Sequence, residues 1–222
     1  MLRKEVERTP RCAMRARRYV VAWNGVLTLA YEGLPRPLVE LKARLREASA
    51  ALPAENPGSL WPKTTVAALR DDVRLTPAQL ETLLEICEAM ADDVQQEDAF
   101  EVADLDLVVY ECRSLEKRIS QETMPLDGSQ DVHDEVDAVE KSKVQRVVDE
   151  AKDPHYWFHA SKDGSRASHY RSSAPGATLV HSLKSPPATL DEFQRRVEHA
   201  MPGMYTWFAT HSLHITMRAI LS

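Results

Sequence analysis

Lys63-Thr64-Thr65-Val66-Ala67-Ala68-Leu69 and His214-Ile215-Thr216-Met217-Arg218-Ala219-Ile220 are the two stretches whose comparison decides the fold. Each is a short, largely apolar run bounded by polar residues, and each reads as a strand centred on a threonine. Thr65/Thr216 and Ala68/Ala219 share an offset of 151, and so do Gly25/Gly176 and Pro35/Pro186 upstream of them. Between proline and threonine each copy carries an apolar helical stripe, Leu38, Leu41 and Leu45 in one and Leu190, Phe193 and Val197 in the other, matched at 152. Segments 25–69 and 176–220 therefore read as two copies of one strand–helix–strand unit. Any two such units share a binary pattern; the common offset is what points to duplication. The expected fold is α+β: two duplicated strand–helix–strand lobes, with antiparallel sheets around a central cleft across which Thr65 and Thr216 face each other.

Working outward, Tyr19 to Trp23 and Val26 to Tyr31 flank Asn24-Gly25, a hairpin signal because these residues tolerate positive φ. Thr76-Pro77-Ala78-Gln79 opens a helix with a capping threonine, a proline at the first helical position and a capping-box glutamine. Thr189-Leu190-Asp191-Glu192 resembles a second capping box, and Pro202-Gly203 closes that helix. Phe100 to Cys112 reads as one long strand whose alternation changes phase near Ala103-Asp104, as at a bulge. Residues 127–153 hold nine Asp/Glu against four Lys/Arg, and the spacing of Val136, Val139, Val144, Val147, Val148 and Ala151 predicts a helix over 134–151. Residues 154–173 read as an exposed loop. The resulting organisation is a basic, flexible N-terminal arm (1–18), a first lobe (19–126), an acidic helix with an aromatic loop (127–173) and a second lobe (174–222), together one bilobal domain.

The 222 residues carry a net charge of −6, with 43% hydrophobic and 28% charged residues, the composition of a globular protein able to bury a core. The charge argues against bulk attraction to nucleic acid or anionic membrane but leaves room for a local basic site. No apolar run reaches membrane-spanning length. Cys12, Cys87 and Cys112 have no metal-ligand spacing and suit a reducing compartment, cytoplasmic or organellar. Seven Lys/Arg within the first 18 residues, against Glu5 and Glu7, leave open an organelle-targeting segment.

His214-Ile215-Thr216-Met217 carries the chemistry. On a strand, residues two apart share a face, which aligns the imidazole of His214 with the hydroxyl of Thr216. One can move a proton near neutral pH and the other can donate to a phosphate oxygen. This motif, with the Lys63-Thr64-Thr65-Val66 stretch and the helix after it, resembles the two-histidine (2H) phosphoesterase superfamily, which includes RNA 2′,3′-cyclic phosphodiesterases and RNA ligase-like proteins. The family has two His-x-Thr/Ser-apolar motifs on related halves of an α+β fold. The resemblance covers about 90 residues in two blocks plus the helix, and it departs from the family where Lys63 stands in place of the first histidine. A lysine at its reference pKa of about 10.4 stays protonated and serves as a phosphate anchor, not a base.

The resemblance implies a site of His214, Thr216, Thr65 and Lys63 that acts on or binds an RNA end or a nucleotide, with no metal and no cofactor. Interleaved aromatics and cations in the loop, Tyr156, Trp157, His159, Arg166, His169 and Arg171, could stack on bases and meet phosphates, or else pack as an ordinary surface loop. His159 or His169 could replace the missing histidine. His211 and His214 would face opposite sides of a strand, against a shared metal. Trp61 and Trp207 read as core residues. Two rival readings are a non-catalytic nucleotide- or RNA-end-binding module and a protein-interaction scaffold. The sequence leaves the oligomeric state open.

Overall fold

The computed structural model describes the chain except for residues 23–24, 49–51, 53–59, 130–131, 133–134, 156–157, 159–165 and 222. Two four-stranded antiparallel sheets form its frame. The first runs β2 (Ala16–Val21), β3 (Leu27–Tyr31), β4 (Lys63–Leu69), β9 (Tyr205–Trp207). The second runs β7 (Arg118–Pro125), β6 (Asp104–Tyr110), β8 (Gly176–Ser182), β10 (His214–Leu221). The α+β class is as expected, and the two compared segments share a strand–helix–strand frame and a pairing direction. One is β3, α2 (Arg36–Ala48), β4; the other is β8, α7 (Leu190–Ala200), β10, with the short strand β9 inserted between α7 and β10; both strand pairs are antiparallel.

The register deepens the correspondence. Thr65 pairs with Thr28 and Ala67 with Leu27, so Val66 is the extra residue of a bulge. Thr216 pairs with Val180 and Arg218 with Leu179, so Met217 is the extra residue there. Val66 and Met217 are again 151 apart. The glycines correspond less well. Gly25 has φ +77° in the β2–β3 turn, while Gly176 opens β8, where an added Cβ would sit 2.5 Å from the Tyr110 hydroxyl oxygen.

In each sheet one face packs against α2 and α7, and the opposite face carries a motif. On the backed side Leu29, Tyr31, Val66, Leu179, Ile215 and Met217 join one core with the stripes of α2 and α7. Tyr19 of β2 stacks on Phe193 of α7 with centroids 3.9 Å apart, tying the halves together. The capping box at Thr76 forms as the sequence predicts: Gln79 N donates to Thr76 Oγ1 at 3.3 Å and Thr76 N to Gln79 Oε1 at 2.9 Å, opening α3 (Pro77–Ala89). The box at Thr189 does not form. Its hydroxyl donates instead to Glu97 Oε1 at 2.6 Å, a carboxylate from the turn that precedes Phe100.

Several boundaries differ from the sequence reading. The basic segment is not a free arm. Residues Leu2–Glu7 form α1, Cys12–Met14 form β1, and Ala16 onward is already β2. Its arginines are paired: Arg3 with Glu7 and Glu122, Arg11 with Glu101, Arg18 with Glu88. The long strand at 100–112 is two strands. Phe100–Val102 (β5) pairs with β1, and the chain crosses at Ala103 into the second sheet as β6; a sheet crossing and a bulge give the same change of alternation. With β7, β6 therefore extends the second sheet, not the first lobe. In return β9, from the second half, joins the first sheet beside β4. The acidic stretch forms α5 (Ala138–Ala151), capped by Asp137 Oδ1 accepting from Glu140 N at 2.8 Å. Within 154–173, Ala167–Arg171 is a short helix, α6. No helix among the described residues is long and apolar enough to cross a membrane.

Candidate functional site

β4 and β10 lie side by side where the sheets meet. Thr64, fully buried on the helix-backed face, donates through Oγ1 to the His214 carbonyl at 3.1 Å and receives the Tyr31 hydroxyl at 2.8 Å. Lys42 on α2, 7% exposed, donates to the carbonyl of Met217, the bulged residue of β10, at 2.8 Å. The motif-opening residues Lys63 and His214 thus sit within one residue of a hydrogen-bonded seam.

Strand alternation places Lys63 and Thr65 on one face of β4, half-buried, while Thr64 and Val66 are buried opposite. His214 and Thr216 are half-buried on one face of β10, with Ile215 and Met217 buried opposite. The pattern comes from the period of two, as the sequence predicts. Across β3, Lys63 is paired with Ala30 and Thr65 with Thr28; across β8, His214 is paired with Ser182 and Thr216 with Val180. One strand further, Asp106, 3% exposed, accepts from Thr123 Oγ1 at 2.6 Å. Each motif has a wall. Trp61, Val20 and Ala30 pack under Val144 and Val148 of α5 on the Lys63 side. On the His214 side Leu115 packs on Val108 and Val180, with its backbone held at φ +58°.

The two basic groups are tuned differently. The Lys63 ammonium lies over the Trp61 ring, 4.3 Å from its centroid. Burial, and then the charge of Lys42, pushes its pKa down to about 8. That corrects the expectation of a lysine near its reference value: Lys63 is protonated at neutral pH and can release its proton readily. His214 Nδ1 donates to the Ser212 carbonyl at 2.7 Å, which fixes the Nδ1–H tautomer and leaves Nε2 as an acceptor. Burial lowers its pKa to about 4, against the Ser212 bond and with help from Arg118. The imidazole is therefore neutral at pH 7. Arg118 donates to the His211 carbonyl at 2.8 Å and to Gln121 at 2.6 Å. Lys63, Lys42 and Arg118 make this a locally basic region of an acidic chain.

Only part of the proposed base-stacking loop is described, and it packs against residues 114–116, next to Leu115. Tyr156, Trp157 and His159 lie outside the described residues. Arg166 Nε donates to the Val73 carbonyl at 3.2 Å, and Ser168 N donates to Asp71 Oδ1 at 3.2 Å. These contacts dock α6 beyond the Leu69 end of β4, roughly 20 Å of strand from Lys63. Arg171 forks onto Glu116 with two bonds of 2.7 Å and donates to the Trp207 carbonyl at 3.0 Å. That fork holds the Glu116 carboxyl below its usual range. Arg166 and Arg171 are thus fastened to protein groups. His169 stands edge-on to Tyr170, and burial lowers its pKa.

Sequence reasoning missed Lys42, Thr64, Asp106, Arg118 and Ser182. Only Lys42 left a signal, a lysine flanked by the leucines of an apolar stripe. Two cavities of about 320 and 300 Å³ lie away from the motifs, one between β2, α3 and α5, the other bounded by Tyr31, Phe100 and His181. Among the described residues no group of three or more His, Cys, Asp or Glu side chains is placed to hold a metal ion.

No family model, curated protein or solved structure matches the chain.

Proposed function

We propose that the two motif faces form a phosphodiester site of the two-histidine phosphoesterase type, with Lys63 in the position of the first histidine, acting on a cyclic nucleotide or an RNA end. The carrying observation is the matched placement of two base-and-hydroxyl pairs, Lys63/Thr65 and His214/Thr216, each just before a bulge and beside a hydrogen-bonded seam. Thr65 and Thr216 donate to the non-bridging oxygens. Neutral His214 accepts at Nε2 a proton from the attacking oxygen as the new P–O bond forms. The Lys63 ammonium donates its proton to the ribose oxygen as the old P–O bond breaks. Two groups with lowered pKa values on either side of neutrality, about 4 and about 8, divide the base and acid roles at the same pH.

The test is a fluorescence-polarisation titration with 2′,3′-cyclic nucleotides run beside a turnover assay. Binding with turnover that is lost in His214→Gln supports the reading. Binding without turnover makes the protein a nucleotide-binding module, a reading favoured by the replaced histidine. Neither binding nor turnover removes the phosphodiester reading and leaves a scaffold.

A further inference from the structure

Ser182 stands directly across from His214 in the β8–β10 register. Directly paired residues of an antiparallel ladder point to the same side, with Cβ atoms about 4.5–5.5 Å apart. The Ser182 hydroxyl oxygen is buried and has no hydrogen-bond partner among the described residues. Burying an unpaired hydroxyl is costly, and the apolar replacement of such a group is close to neutral or stabilising. The equivalent place in the first half is Ala30, opposite Lys63, where the methyl packs under α5. The hydroxyl is therefore not an architectural requirement of the repeated unit. It occurs only on the side that holds the imidazole.

We propose that Ser182 positions the attacking water of a 2′,3′-cyclic phosphodiester substrate, so that the site is built for hydrolysis and not for RNA cleavage by a ribose hydroxyl. The inference rests on the phosphodiester reading above and names its nucleophile. A water has two O–H bonds. His214 Nε2 accepts one, and its proton leaves with that nitrogen as the P–O bond forms. The second must be accepted by another group if the oxygen lone pair is to aim at phosphorus. Ser182, the residue paired with His214 across the ladder, carries the hydroxyl oxygen that can accept it. A ribose hydroxyl has a single O–H, already committed to His214, and gains nothing from a second acceptor. Thr216, two residues further along β10, is left to hold the phosphate.

The experiment follows 2′,3′-cyclic nucleotide consumption by phosphorus NMR, with and without methanol, for the wild type, Ser182→Ala and Ser182→Thr. Thermal melts are recorded on the same samples. Ser182→Ala should lower kcat about 10- to 100-fold with KM nearly unchanged, as expected for a misaligned nucleophile. Its products should shift toward the methyl ester, because methanol presents one O–H and does not need the second acceptor. Ser182→Thr should restore both rate and product ratio. The melting temperature of Ser182→Ala should hold or rise. A wild type that turns over, with Ser182→Ala matching it in rate and product ratio, overturns the inference and leaves the phosphodiester reading standing. A melting temperature clearly lowered in Ser182→Ala also overturns it, since the hydroxyl would then be bonded within the fold. A wild type that does not turn over cyclic nucleotides removes the reading and the inference together.

Discussion

Lys63 and His214 open equivalent strands, and burial lowers the pKa of both, yet lysine starts so much higher that the two hold opposite charge states at neutral pH. His214 is neutral because its folded pKa, about 4, lies below the ordinary 6.5. Between those values the unfolded chain binds the extra proton, so stability should fall as pH drops from 6.5 through about 4. His214→Gln should flatten that slope in melts recorded across this window; an unchanged slope would place the acid-sensitive group elsewhere. Lys63 works in the other window. Its folded pKa of about 8 lies below 10.5, so its burial destabilises at neutral pH and the cost fades as pH rises through that interval. On the proposed chemistry, the rate needs neutral His214 and charged Lys63, giving a plateau with limbs near pH 4 and 8. His214→Gln should cut turnover about 10²–10⁴-fold. In Lys63→Arg the guanidinium holds its proton, so the alkaline limb should vanish and the remaining rate should be low. A rate profile of Lys63→Arg that keeps its limb near pH 8 would assign that limb to another group.

At the scale of elements, β4 and β10 were legible because each combines an apolar run, a period-two alternation and a partner at a fixed offset. The α3 cap at Thr76 was legible because both halves of the box are local. Thr189 shows the limit of that logic, since its hydroxyl is taken by Glu97 from 92 residues away. The strand β7 gave no signal. It is an edge strand, exposed at Ile119, Ser120, Gln121, Glu122 and Thr123 alike, so nothing alternates. Strand β9 is three residues long, and its pairing with β4 is long-range. Both motifs were visible in the sequence, but the Thr64 seam was not, because a threonine beside a motif threonine looks redundant. Thr64→Val should expose its importance. The shape is nearly kept, while the Tyr31 hydroxyl and the His214 carbonyl each lose a partner, at about 1–3 kcal/mol per buried group. Urea unfolding should show the loss, and Thr64→Ser should recover most of it. A valine variant as stable as the wild type would mean that the seam is held by packing alone.

At the scale of the whole molecule, Lys42 links the halves chemically as well as mechanically. It rises from α2 of the first segment, donates to Met217 of β10 in the second, and lowers the pKa of Lys63 back on β4 of the first. Sequence could not show this, because the three residues meet only through the fold, with 175 positions between donor and acceptor. The arrangement makes the docking of one sheet against the other a condition for the proton affinity of a group in the site. Lys42→Met separates the two effects. The methionine keeps much of the side-chain volume but neither donates nor carries charge. The Met217 carbonyl loses that donor, and stability should fall by about 1–3 kcal/mol. The second like charge is gone, so Lys63 should hold its proton more tightly and its pKa should rise above about 8. In a pH–rate profile the alkaline limb should move upward while the acid limb, set by His214, stays in place. If active-site geometry alone were disturbed, the rate would drop with both limbs fixed. Movement of the acid limb instead would mean that the seam, and not the charge on Lys42, controls the site.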